Sequence, residues 1–207
     1  ERVLAELERL AAAPQGAAGL ELTVACGLLE SWGGASARGD LEDSSPGIDT
    51  ALADLDLATA ASRGLSPEET ARALPLARLA AVLDGEALKQ LRASRKRQQS
   101  VLRLRHWWER LRGSQGDPAA LPEPEQLHLH RQLEADLPAL ALLVDPAWAH
   151  QALVRWRNQL DPLFHPRPPI DGAALQARLQ LKPGRALGQL LEHLTRERAF
   201  GRLPAQV

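Results

Sequence analysis

A single cysteine, no tyrosine and two phenylalanines among 207 residues remove several classes of protein at once. One thiol cannot build a disulfide framework or a cysteine-based zinc site. Aromatic residues make up 3% of the chain while hydrophobic residues make up 44%, so the core has to come mainly from leucine and alanine. Both favour helix, and the β-branched residues that favour strands are scarce. No apolar run reaches the roughly 18 residues that a membrane span needs. The opening residues Glu1-Arg2-Val3-Leu4-Ala5-Glu6 are charged and helical in pattern, which is unlike a secretory signal. The chain starts without methionine and in mid-pattern, as a piece of a longer protein would. These features lead to an expectation of a cytoplasmic protein with no membrane partner.

What is present is helical periodicity broken by proline and glycine. Val3, Leu4, Leu7 and Leu10 share a helical spacing that Pro14 and Gly16 end. A second helix is predicted over 17–31, with Leu20, Val24, Leu28 and Leu29 inward and Cys26 as a small core residue. Residues 33–47 read as a loop, followed by a helix over 48–63. Ser66-Pro67-Glu68-Glu69 is a helix start with Ser66 as cap and Glu69 closing a capping box. The stripe that follows is Leu74, Leu76, Leu79, Ala80 and Leu83, and Pro75 should kink or split that helix. Ser94 can cap a helix carrying Val101, Leu104, Trp108 and Leu111, with Trp107 partly exposed. After a Gly- and Pro-rich loop over 113–124, helices are predicted over 125–135, 138–144 and 147–160. Four prolines in 161–169 predict a rigid linker. Asp171 should cap a short helix, Lys182-Pro183-Gly184 should turn the chain, and a last helix should end near Phe200 with Gly201 at its C′ position. The expected fold is all-α with no sheet: a helical body over 1–160, the linker over 161–169 and a small helical tail over 170–207.

Only three of the 25 basic residues are lysine, and charge is segregated. Asp40, Glu42, Asp43, Asp49, Asp54 and Asp56 form one acidic stretch, whereas between Lys89 and Arg112 nine cations face the single carboxylate of Glu109. Such separation marks a candidate polyanion surface. Arg92, Arg95, Lys96 and Arg97 gather at a predicted helix N-terminus, whose free N–H groups also attract anions, and Arg103 and Arg105 lie further along. Lys182 and Arg185 flank the tail turn and form a second phosphate candidate. The bland alternative is a solvated basic face whose arginine stems cover apolar surface. A further alternative is a helical protein–protein interaction domain without RNA binding, whose basic stretch meets an acidic partner or the chain's own 40–56 region. Catalytic and metal sites are not expected. Gly33-Gly34 with Asp54-Leu55-Asp56 imitates a phosphate-binding turn beside a metal-binding carboxylate pair, but a helical pattern splays Asp54 and Asp56 apart. His128 and His130 diverge on a helix and read as a surface pair.

Three segments in order resemble class II tRNA nucleotidyltransferases and poly(A) polymerases, most closely in their cyanobacterial form. The first is Glu1-Arg2-Val3 through Leu7, then Pro14, Gly19-Leu20 and Gly27-Leu28-Leu29. The second is Leu88-x-x-Leu91-Arg92-x-Ser94-Arg95-Lys96, which is similar to a motif of that family's body. The third is Ile170-Asp171-Gly172-x-x-Leu175 followed by Leu179-x-Leu181-Lys182-Pro183-Gly184-x-x-Leu187-Gly188-x-Leu190-Leu191, similar to its tail. The resemblance begins downstream of the catalytic head and of the Glu-Asp-x-x-Arg that selects nucleotides. It implies a body and tail that hold the elbow and acceptor stem of tRNA or another structured RNA. A head outside this sequence would add CCA or AMP units with ATP, CTP and Mg²⁺. It implies no cofactor for this chain, and it leaves a homodimer open.

Overall fold

The computed structural model describes residues 2–32, 52–112, 117–180 and 182–203. Among them are eleven α-helices and no strand, so the fold is all-α. The helices are α1 (Arg2–Ala12), α2 (Gly16–Ala25), α3 (Leu57–Ser62), α4 (Pro67–Val82), α5 (Gly85–Gln90), α6 (Arg95–Arg112), α7 (Glu123–Gln132), α8 (Leu137–Ala141), α9 (Pro146–Arg157), α10 (Gly172–Leu179) and α11 (Arg185–Ala199). No helix among the described residues is long and apolar enough to cross a membrane. The chain divides into two compact units, one of Glu1–Asp117 with Ala135–Leu153 and the other of Pro118–Glu134 with Val154–Val207. This differs from a body, linker and tail parted at 161–169. Leu163, Phe164 and His165 are buried, so the proline-rich segment is packed structure within the second unit.

In the first unit α4 is the central element and packs against α1, α2, α6 and α8. It begins where the sequence signals it. Ser66 Oγ accepts the Glu69 N–H at 3.2 Å, and the Glu69 carboxylate accepts the Ser66 N–H at 2.8 Å. Replacing Ser66 by alanine should therefore destabilise this unit by about 1 kcal/mol in urea unfolding, and Ser66→Asp should restore most of it. Pro75 does not split the helix, which runs unbroken to Val82. Nor does α4 carry only a stripe: every residue from Leu76 to Val82 is buried, because neighbours cover it all round.

Arg78 lies among those buried residues, fully inaccessible. Its Nε donates to the Leu55 carbonyl at 2.8 Å. One terminal nitrogen donates to Ala11 and Ala13 at 2.8 and 2.7 Å, and the other to Pro14 at 3.3 Å. The last three carbonyls belong to the end of α1 and the turn after it, which a helix leaves without internal donors. Gly16 makes room for this fork: a Cβ there would lie 2.6 Å from the guanidinium and 2.3 Å from the Leu10 carbonyl oxygen. Arg63 repeats the device at the end of α8, donating to the Ala141 carbonyl at 2.8 Å and also to that of Val144.

Several local expectations are corrected. The α2 helix stops at Ala25, and the chain turns so that Leu29 is buried while Leu28 and Cys26 are exposed. The helix predicted over 48–63 is interrupted: residues 52 and 53 are helical, 54–56 are not, and α3 starts at Leu57, where Asp56 Oδ1 accepts the Thr59 N–H at 2.7 Å and caps it. That bond, against the opposing effect of burial, holds the Asp56 carboxyl below its ordinary range. Asp56 is thus a helix cap, and Gly33-Gly34 and residues 40–51 lie outside the described residues. Trp107 is as buried as Trp108.

The second unit is built on α7, α10, α11 and the turn through 161–165, with α11 packed on α7 and α10. Arg155 grips Asp161 through two hydrogen bonds of 2.7 and 3.0 Å, and Asp161 Oδ1 also accepts the N–H groups of Leu163 and Phe164. Burial raises the Asp161 pKa, but these bonds outweigh it and hold the group in its charged form. His165 Nε2 donates to the Trp156 carbonyl at 2.6 Å, and its Nδ1 lies 2.9 Å from Glu134 Oε1. Arg202 spans both oxygens of Glu123 and both of Glu197, tying the end of α11 to the start of α7. Gly201, with φ of +73°, ends α11 at C′ as expected. Asp171 stands at the N-cap position of α10 without a side-chain capping bond. His130, expected at the surface, is buried, with its ring centroid 4.1 Å from that of Phe164.

Candidate nucleic-acid interface

The basic stretch folds as α5, a tight turn and α6. Asp84 starts α5 by accepting the N–H groups of Glu86 and Ala87 at 2.9 and 2.8 Å. The helix ends at Gln90 with Leu91 as its C-cap, and the next residues close a reversing turn in which the Arg92 N–H donates to Lys89 and the Ala93 N–H to Leu88, both at 2.9 Å. This is the Schellman arrangement, which places its C′ residue in the left-handed region where glycine is normal. Here that residue is Arg92, at φ of +55°. A side chain in this conformation costs about 1 kcal/mol relative to glycine. Ser94 then caps α6, its hydroxyl accepting the Arg97 N–H at 3.3 Å. Arg95 and Lys96 occupy the first turn, where the helix dipole disfavours cations. Two local costs therefore fall within the five residues 92–96.

The six cations predicted on this segment are used in two ways. Arg97 pairs with Glu8 of α1 at 2.7 Å. Arg105 pairs with Glu109 at 2.8 Å and also donates to the Ala80 carbonyl at 3.3 Å. These two hold structure together. Arg92, Arg95, Lys96 and Arg103 are exposed and have no ion-pair partner among the described residues. Arg103 follows Arg95 by two helical turns on the same exposed face, about 12 Å along the axis. Gln99 and His106 are exposed on that face too. A helical projection from Arg95 would have found them, since they follow it by four and eleven positions.

Trp107 and Trp108 offer no stacking surface, because both rings are buried. Trp108 instead carries the Arg112 guanidinium at 4.0 Å from its centroid. Burial lowers the Arg112 pKa, opposed by the nearby Glu109. Lys182 and Arg185 are exposed in the second unit, at the turn before α11. A Cβ on Gly188 would meet no atom within 4 Å, so this glycine does not serve close helix packing. Among the described residues no three His, Cys, Asp or Glu side chains cluster as metal ligands would.

The arrangement is suited to an extended polyanion: point charges along a rigid helix, no enclosing pocket, and no aromatic platform for unstacked bases. Compared with protein-family models, with curated proteins and with solved structures, the chain matches none.

Proposed function

We propose that this chain binds structured RNA through its phosphates, with tRNA as the class indicated by the sequence resemblance. The observation that carries this reading is the set of four exposed cations without ion-pair partners among the described residues, Arg92, Arg95, Lys96 and Arg103. The conformational cost at Arg92 supports it, because local strain concentrates where function requires it. Lys182 and Arg185 supply a second contact of the same chemistry. In this reading the chain positions RNA, and nucleotide addition with ATP, CTP and Mg²⁺ belongs to a catalytic head outside it.

The test is a salt titration of binding to a tRNA lacking its CCA end, with a single-stranded RNA as control. Four phosphate contacts should give a slope of log affinity against log salt of about −3. Substituting all four cations by alanine should remove most of that slope. An unchanged slope would defeat the assignment, and equal binding of the single strand would defeat the preference for structure. Arg92→Gly separates function from folding. It should raise stability by about 0.5–1 kcal/mol, because glycine adopts the left-handed conformation freely, while weakening RNA binding through the loss of one cation. Salt-sensitive self-association without RNA binding would favour an acidic protein partner instead.

A further inference from the structure

In the first unit, away from the basic turn, a cleft of about 360 Å³ opens between α3, α4 and the end of α1. Leu57, Leu65, Leu74 and Pro75 make it mainly apolar, and Thr70 and Ala71 complete its α4 wall. The volume lies within the range of small-molecule sites and well above the ~150 Å³ that suffices for benzene.

Two polar groups on that wall lack their usual partners. A helical threonine ordinarily returns its hydroxyl to the carbonyl four residues back. Thr23 does so to Gly19 and Thr195 to Leu191, each at 2.7 Å. Thr70 is only 9% exposed, yet its hydroxyl makes no such bond among the described residues. The second group is the Ala71 carbonyl, whose helical donor would be the N–H of residue 75. Proline has none. The α4 wall therefore carries a hydroxyl without its usual helical bond and, on the next residue, a carbonyl without its helical donor.

We propose that the cleft binds a small apolar or aromatic molecule bearing a single hydroxyl. Its body lies against Leu57, Leu65 and Leu74. Its hydroxyl donates to the Ala71 carbonyl and accepts from Thr70. The proposal is independent of RNA binding, since no residue of the basic turn lines the cleft.

The experiment uses phenol and toluene, which have equal heavy-atom counts and differ in the hydroxyl, each titrated into the full chain and followed by NMR chemical shifts. Both should shift resonances between residues 57 and 75, with phenol binding about five-fold more tightly. Thr70→Val should erase that preference. Ala71→Phe, at a solvent-exposed position that leaves the core intact, should fill the cleft and abolish binding of both. Absence of binding at millimolar probe, equal affinity for the two probes, or binding insensitive to Ala71→Phe would each overturn the proposal.

Discussion

Arg78→Leu should destabilise the protein by about 3–5 kcal/mol, measured by urea unfolding, while Arg72→Leu on the same helix should change stability by less than about 0.5 kcal/mol. The two arginines sit six residues apart, yet Arg72 is exposed and Arg78 is wholly buried. Leucine at 78 leaves the buried carbonyls of Leu55 and Ala11 without this donor, and removes it from the partly exposed carbonyls of Ala13 and Pro14. Each unsatisfied buried acceptor costs about 1–3 kcal/mol, and relaxation recovers part of the sum. Lysine keeps the charge but has no planar fork, so it cannot serve carbonyls from two chain segments at once. Arg78→Lys should accordingly lose about 2 kcal/mol, an intermediate result. Gly16→Ala should behave like a mild version of Arg78→Leu, since the added Cβ collides with the guanidinium and with the Leu10 carbonyl. A loss below about 1 kcal/mol for Arg78→Leu would mean that water or neighbouring groups take over the fork.

This arginine also marks the limit of what the sequence makes legible. Signals that act within one turn are correctly readable: the Ser66–Glu69 box, the Ser94 cap and Gly201 at the end of α11. In each, the partner lies within four residues, so spacing alone specifies it. Partners far apart in the chain are not readable. Glu8 claims Arg97 across 89 residues, and four distant carbonyls claim Arg78, yet in sequence these arginines look like Arg95 or Arg72. The same blindness affects burial. A helical projection gives one inward face, but α4 is enclosed on all sides from Leu76 to Val82, and Trp107 and Trp108 are both covered although adjacent helix positions diverge. Within the candidate interface the composition marks the basic stretch as a whole. Long-range pairing decides which of its cations stay open, and the left-handed backbone at Arg92 depends on a turn that arginine does not signal.

His130 shows the cost of such hidden burial most directly, through pH. The sequence places it beside His128 on a polar-looking helix, but its ring is enclosed against Phe164, and its Nδ1 has no hydrogen-bond partner. Burial is the main reason that its pKa falls from 6.5 to about 3. The positive charges of Arg155 and His165 push in the same direction, and Asp161 opposes them. The ring is therefore neutral when folded, whereas in the unfolded chain it takes up a proton below about pH 6.5. Because the unfolded state then binds more protons, stability falls as pH drops from about 6.5 towards the folded value, by about 1.4 kcal/mol per pH unit. From about pH 7 to about pH 5, His130 alone should remove about 2 kcal/mol from the unit that contains it. The comparison that isolates it is His130→Phe, which keeps a ring against Phe164 and removes the proton site. The variant should lose about 2 kcal/mol less than the parent over that interval, and their unfolding midpoints should draw together or cross on acidification. Parallel pH profiles would show that the folded unit admits a protonated imidazole at this position, through water reaching Nδ1 or through opening of the Arg155–Asp161 turn.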